Sequence, residues 1–389
     1  MSDTRTAGRM QAAVLLLSSC LSVLGAVLLA PVLPRIEDAF AGAPGVSALT
    51  PIVLTAPALF IGLTAAFAGR IVDRLGRKRL LVGALLVYAV VGTAPLYLPS
   101  LPLIVASRVL VGLTEAAIMT CCTTLLADYF HGNRRERYFG LQVVFTTISA
   151  TVFFAVGGIL GEANWRAPFW LYFASLPLAF LAARHIWQPT TARPGTREPL
   201  PALPWRQLAA PVGVTLFGGL VFYVLIVELP YKLEDIGVTS TGTVGAVSAI
   251  TSLGTAAGAF LFGRLAHRGP GFTVPAAFAF SGLGLLGLAV SPAVPLVVLC
   301  GVVTGFGNGL LLPSLLSWAL GSLAFDQRGR GTGVWTSALF LGQFVCPLIV
   351  LALDGALGGL AAALFLLGLL SAATAAALRR ATLTPVTAA

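Results

Sequence analysis

Charge is what this chain has least of. Its 389 residues include only 24 Lys and Arg and 14 Asp and Glu, while 57% are apolar, and the mean hydropathy is +0.93. Surface-to-volume scaling leaves a water-soluble protein nowhere to hide that much apolar surface. A soluble enzyme, a disordered chain and a disulfide-stapled secreted domain are therefore excluded. Histidine is almost as scarce. His131, His185 and His267 each fall at an expected helix end and form no ligand cluster, which argues against a metal-dependent membrane enzyme. The five cysteines, Cys20, Cys121, Cys122, Cys300 and Cys346, sit inside apolar runs without metal-type spacing. Adjacent Cys121 and Cys122 would point about 100° apart on a helix. All five read as small apolar residues. A nucleotide-binding P-loop is missing, and so is the alternating pattern of a membrane β-barrel.

Long apolar runs are abundant instead. A helix needs about 20 apolar residues to cross a hydrocarbon core of about 30 Å. Twelve runs qualify, at residues 11–34, 48–68, 80–98, 101–127, 138–160, 168–187, 208–229, 241–266, 272–290, 293–320, 331–353 and 357–378. The expectation is an all-α membrane protein with twelve transmembrane helices. The first run follows Arg5 and Arg9 but is longer than a signal-peptide core, so it is read as a span. With the N-terminus placed inside, 20 of the 24 Lys and Arg fall on the cytoplasmic side, Arg35, Arg166 and Lys232 outside, and Arg108 within a span. The positive-inside rule then puts both termini in the cytoplasm of a cell-membrane protein. It also accounts for the net charge of +10 without any nucleic acid.

The two halves resemble each other. Gly69-Arg70-Ile71-Val72-Asp73-Arg74 is answered 194 residues later by Gly263-Arg264-Leu265-Ala266-His267-Arg268, and Arg135-Glu136-Arg137 is answered 193 later by Arg328-Gly329-Arg330. A proline-rich gap at 188–207 separates them. The expected organisation is a six-helix bundle at 1–187, a cytoplasmic linker at 188–207, a second pseudo-symmetric bundle at 208–380 and a short tail at 381–389. Parallel six-helix repeats with a site between them are a transporter architecture.

The motif after the second run completes the pattern. Gly69, Asp73, Arg74, Gly76, Arg77, Lys78 and Arg79 fit G-x-x-x-D-R-x-G-R-[KR]-[KR], and Arg108 with Gly112 fits R-x-x-x-G in the fourth run. The chain resembles the major facilitator superfamily over essentially its whole length. That resemblance implies a monomeric secondary transporter that needs no cofactor and works in the bilayer on a small-molecule substrate. It also implies a gate at the motif. Asp73 would rest against the start of span eleven near Gly331, where a helix N-terminus favours an anion. Arg77 would bridge Asp73 and Asp128. The alternative is that these residues only anchor the loop.

Ionisable groups within spans are functional by default. Arg108 and Glu115 lie seven apart, two turns along one face of span four and too far apart for direct contact in an ideal helix. A buried carboxyl can exchange a charged for a neutral form. Glu115 is the candidate proton carrier, with Arg108 tuning it or holding a substrate anion. A hydrogen bond from Glu115 to a neighbouring helix is the plainer reading. Glu228 and Asp354 are expected as wetted residues at the outer ends of spans seven and eleven. Gln142, Tyr223, Asn308, Trp335 and Gln343 are candidates to line the cavity, each also explicable by packing. So few fixed charges favour an amphipathic solute, and proton-coupled efflux is the leading expectation. Drug antiporters of the superfamily carry G-P-x-x-G-G in span five. Here Phe153-Phe154-Ala155-Val156-Gly157-Gly158 lacks the Gly-Pro, which favours the alternative, proton-coupled uptake of a small metabolite.

Overall fold

A computed structural model describes residues 7–188, 202–321 and 323–380. These residues form helices and short connections with no strand among them, so that backbone polar groups are satisfied within each segment, as lipid demands. Twelve spans emerge: Arg9–Ala39, Val46–Ala65, Arg77–Leu96, Leu101–Tyr129, Gly132–Ala163, Ala167–His185, Trp205–Asp235, Thr241–Arg268, Pro270–Val290, Val294–Gly321, Gln327–Leu357 and Leu360–Arg380. They are numbered one to twelve below. Several outrun the apolar stretches that announce them. Span five begins at Gly132, because Arg134, Arg135 and Arg137 continue the helix while their charged heads stay in solvent. Large apolar side chains such as Val90, Ile159, Phe180 and Phe260 face outward, as a lipid-facing exterior requires.

Span one is not continuous. Its helix runs Arg9–Val27, gives way to a 3-10 turn at Ala30–Val32, and resumes at Leu33–Ala39. Pro31 and Pro34 supply the cause, since neither can donate to the ladder. Pro57, Pro313 and Pro347 ride inside unbroken helices.

Spans one to six pack among themselves, and so do spans seven to twelve. The two groups meet chiefly where span five crosses span eight and where span two crosses span eleven. Gly158 and Gly245 make the first crossing possible: a Cβ on Gly158 would stand 2.8 Å from the Gly245 Cα. At the second, a Cβ on Gly62 would come within 3.3 Å of the Ser337 carbonyl. Small residues let backbones approach where lipid offers no hydrophobic drive for helix association.

The expected linker at 188–207 lies mostly outside the described residues, as does the tail at 381–389. Its last part, Trp205 to Gln207, is already the first turn of span seven. Buried hydroxyls are mostly spent inside their own helices: Ser19 donates to the Leu15 carbonyl at 2.8 Å and Ser314 to Leu310 at 2.6 Å. Such groups need no ligand.

Candidate functional site

At the basic end of the molecule, a short helix at Ala68–Leu75 carries the loop motif and stops at Gly76, whose φ of +83° suits a residue without a Cβ. Span three begins at once with Arg77. The Arg77 guanidinium is ion-paired with the Asp128 carboxylate at the end of span four, and both side chains are largely buried. The amide of Lys78 donates to Gln188 Oε1 at 3.1 Å. Arg74 is exposed. The surroundings of residues 68–70 and of the Asp73 side chain are not among those described, so the expected contact of Asp73 with span eleven stays an expectation. One detail of it changes. The span-eleven helix starts at Phe325, which places Gly331 within the helix instead of at its N-terminal end. The polar residues around Arg328 are helical too, and the apolar pattern could not show that. In the second half, His267 Nδ1 lies 2.8 Å from the Arg264 carbonyl of its own turn.

The membrane-embedded pair behaves as a unit. Arg108 is fully buried; its Nη1 donates to the Tyr172 hydroxyl at 3.1 Å, and its guanidinium lies over the Tyr172 ring at 4.9 Å and the Phe169 ring at 5.7 Å. Its Nε and Nη2 are buried without a hydrogen-bond partner. Glu115 is 2% exposed. Its Oε1 accepts from the Tyr88 hydroxyl at 3.2 Å and from the Gly25 amide at 3.2 Å. The Tyr88 and Tyr172 rings, 5.0 Å apart, bridge the two turns between Arg108 and Glu115. Spans one, three, four and six thus build one buried polar cluster. Sequence reasoning found its two charged members and missed Tyr88, Tyr172 and Gly25. The available signal was a tyrosine inside an apolar run.

The remaining candidates separate. Tyr223, buried on span seven, lies within electrostatic reach of Glu115 and Tyr172 across the boundary between the two groups of helices. Gln142 donates to Ser19 at 2.8 Å and Thr123 at 3.2 Å, tying span five to spans one and four. Asn308 donates to the Phe222 carbonyl at 3.1 Å and accepts from Ser281 at 3.0 Å, so it joins helices of the second half. Trp335 and Gln343 are buried on span eleven, with Trp335 Nε1 lacking a hydrogen-bond partner. Glu228 corrects an expectation. It is buried with Lys232 one turn later, and both line a small void together with Leu288 and Leu364. Span seven stays helical through Pro230, so both positions keep facing spans nine and twelve instead of reaching water.

The end opposite the loop motif holds contacts that the sequence did not disclose. Glu162 Oε1 accepts from the Ser240 hydroxyl at 2.5 Å and the Gly242 amide at 2.8 Å at the start of span eight, while its Oε2 pairs with Arg35 at 3.2 Å. Thr241 donates to the Gly158 carbonyl at 2.9 Å, and Tyr231 to Glu37 at 3.0 Å. Beside them lies an open cleft of about 480 Å³ lined by Arg35, Asp38, Ala39, Asn164 and Trp165.

This arrangement of twelve spans has a known counterpart. The family model described as Major Facilitator Superfamily matches residues 15–231 and again 212–388. The chain belongs to the Major Facilitator Superfamily. It is a multi-pass membrane transporter of small molecules. It is 27% identical to the class C tetracycline resistance protein of Escherichia coli, over 86% of this chain and 87% of that one. It is 26% identical to the 3-(3-hydroxy-phenyl)propionate transporter of Escherichia coli strain K12, over 72% of each. The quinolone resistance protein NorA of Staphylococcus aureus is 24% identical over 74% of this chain and 76% of its own. Among solved structures, the inward-facing, occupied bacterial homolog of the human lysosomal transporter Spinster superposes with a TM-score of 0.72 at 14% identity, covering 96% of this chain and 94% of that one. The human organic anion transporter MFSD10 superposes with a TM-score of 0.70 at 17% identity, covering 95% and 99%. Both share the fold of this transporter.

Proposed function

We propose that this transporter exports an amphipathic small molecule in exchange for protons, by alternating access between two six-helix bundles, residues 1–187 and 208–380. Glu115 carries the reading: a carboxyl 2% exposed, held by a phenol and a backbone amide, two turns from a buried arginine. An ionisable group at that depth is expensive to keep unless it is used. Likeness to tetracycline and quinolone resistance proteins supports export. On this reading the protein works as a monomer in the cell membrane with both termini in the cytoplasm, an orientation that the basic loops support. In this scheme the Arg77–Asp128 pair holds the motif loop, and Asp73 faces span eleven when the cytoplasmic side is shut.

The test is transport of tetracycline and a quinolone by the purified chain in liposomes under an imposed pH gradient. The wild type should move at least one uphill, and Glu115→Gln should lose that coupling. A Glu115→Gln protein that still transports uphill with an unaltered pH response overturns the assignment. A second reading has its own support. Arg108 keeps two unpartnered guanidinium nitrogens, the geometry for a carboxylate. The missing Gly-Pro and the likeness to an arylpropionate transporter fit uptake of an aromatic acid with protons. Growth on such acids, as against gained drug resistance, separates the two.

A further inference from the structure

Tyr88 is fully buried, and its hydroxyl stands between two oxygens, the Leu21 carbonyl at 2.8 Å and Glu115 Oε1 at 3.2 Å. A phenol has a single proton to give. If that proton serves Leu21, the contact with Glu115 holds only when the carboxyl itself donates. Both contacts are then satisfied at once, with the carboxyl donating to Tyr88 and Tyr88 donating to Leu21. When Glu115 is ionised, two acceptors compete for the one proton. The charge-assisted bond to the carboxylate is the stronger, and the Leu21 carbonyl loses its side-chain donor.

The same carboxyl oxygen accepts from the Gly25 amide. Leu21 and Gly25 are four residues apart on span one, the spacing at which an α-helix joins carbonyl to amide. Tyr88 and Glu115 therefore reach the two ends of one rung of that helix. The approach depends on glycine, because a Cβ at position 25 would stand 2.5 Å from Glu115 Oε1. Two residues further on, at Val27, the helix ends and the break of span one begins. The Leu28 carbonyl, inside that break, rests on Gly157 of span five, and the next residue, Gly158, meets span eight. A side chain that intrudes on a helical ladder is a recognised cause of bending.

We infer that Tyr88 and Gly25 are positioning residues that turn proton occupancy of Glu115 into a change in the Leu21–Gly25 rung, and so in the set of the span-one break against span five. The inference rests on Glu115 as the proton carrier. The other ionisable groups facing Glu115 are Arg108 on its own span, Tyr88 on span three, Tyr172 on span six and Tyr223 on span seven. Span one meets it with the Gly25 amide.

The experiment is hydrogen exchange of the 21–29 segment in the full chain, reconstituted in nanodiscs. It is read across pH as protection corrected for the intrinsic rate, with the infrared carboxyl band reporting protonation of Glu115. In the wild type, protection of this segment should rise about fivefold as Glu115 loses its proton, because the Gly25 amide then donates to a charged acceptor. Glu115→Gln should hold it at one value. Tyr88→Phe and Gly25→Ala should leave the carboxyl band titrating but abolish the change in protection. If the band titrates and both variants keep the wild-type response, the inference falls while the proton role of Glu115 stands. If no band disappears in Glu115→Gln, the proton role falls, and the inference with it.

Discussion

The carboxylate of Glu162, on span five, accepts the amide of Gly242 at the first turn of span eight, 2.8 Å away. It also takes the Ser240 hydroxyl and pairs with Arg35, so one acidic side chain joins three elements at the end opposite the loop motif. Helix starts present free amides and a partial positive charge, which is why an acid serves here. Removing it should loosen this end. Glu162→Ala is expected to raise maleimide labelling of a single cysteine placed at Ser252, which now contacts Thr151 across the same boundary, by several-fold. Water reaches these contacts and weakens each of them, so the effect rests on their acting together. Unchanged labelling would show that other contacts hold this end alone.

The basic end rests on a different pair. Arg77 and Asp128 are largely buried, so deleting one partner strands a charge in a place poorly reached by water. Asp128→Asn should leave the protein in the membrane but cut transport several-fold, and the swap Arg77→Asp with Asp128→Arg should recover part of the loss. Asp73→Asn should cut transport by a similar factor at normal expression. Full activity in all of these variants would reduce the motif to an anchor for its loop.

Close approach at the crossing of spans five and eight is tested by bulk. A side chain on Gly158 would collide with the backbone of Gly245 and the Thr241 carbonyl. Gly158→Val should therefore keep these spans apart, abolish turnover and leave the Ser252 position open to label even with Glu162 intact. Normal turnover in this variant would mean that the crossing is not needed in the transport cycle.

Arg108 combines functional and stability effects of opposite sign. It is buried with two donors unsatisfied, a costly arrangement of about 1–3 kcal/mol for each lost partner. Arg108→Leu should preserve or raise the melting temperature in detergent while eliminating transport, the trade expected of a functional site. Arg108→Lys should not restore activity, since an ammonium cannot reproduce the planar contact with Tyr172 and Phe169. A melting temperature that drops sharply in Arg108→Leu would make the arginine a structural residue.

Much of this transporter was readable along the chain. Hydropathy located all twelve spans, the motif around Arg77 pointed to the superfamily, and an acid and a base standing alone in apolar surroundings marked Glu115 and Arg108. What stayed illegible was partnership. Glu228 read as a wetted outer residue until the continuous helix through Pro230 turned it inward. Glu162 sat among residues that looked like loop. Tyr88 and Gly25 carried no sign that they would meet Glu115.

Span count and the placement of charge in the loops are properties of local composition, and lipid enforces them residue by residue, so the sequence alone determined them. Which face of each span turns toward which neighbour is another matter. A helix that is apolar all round can rotate about its axis or slide in depth at little cost in hydrocarbon. Only the packing of all twelve together, through glycine contacts and a few buried hydrogen bonds, decided that Glu115 would answer to Tyr88 and Gly25, and Glu162 to Gly242.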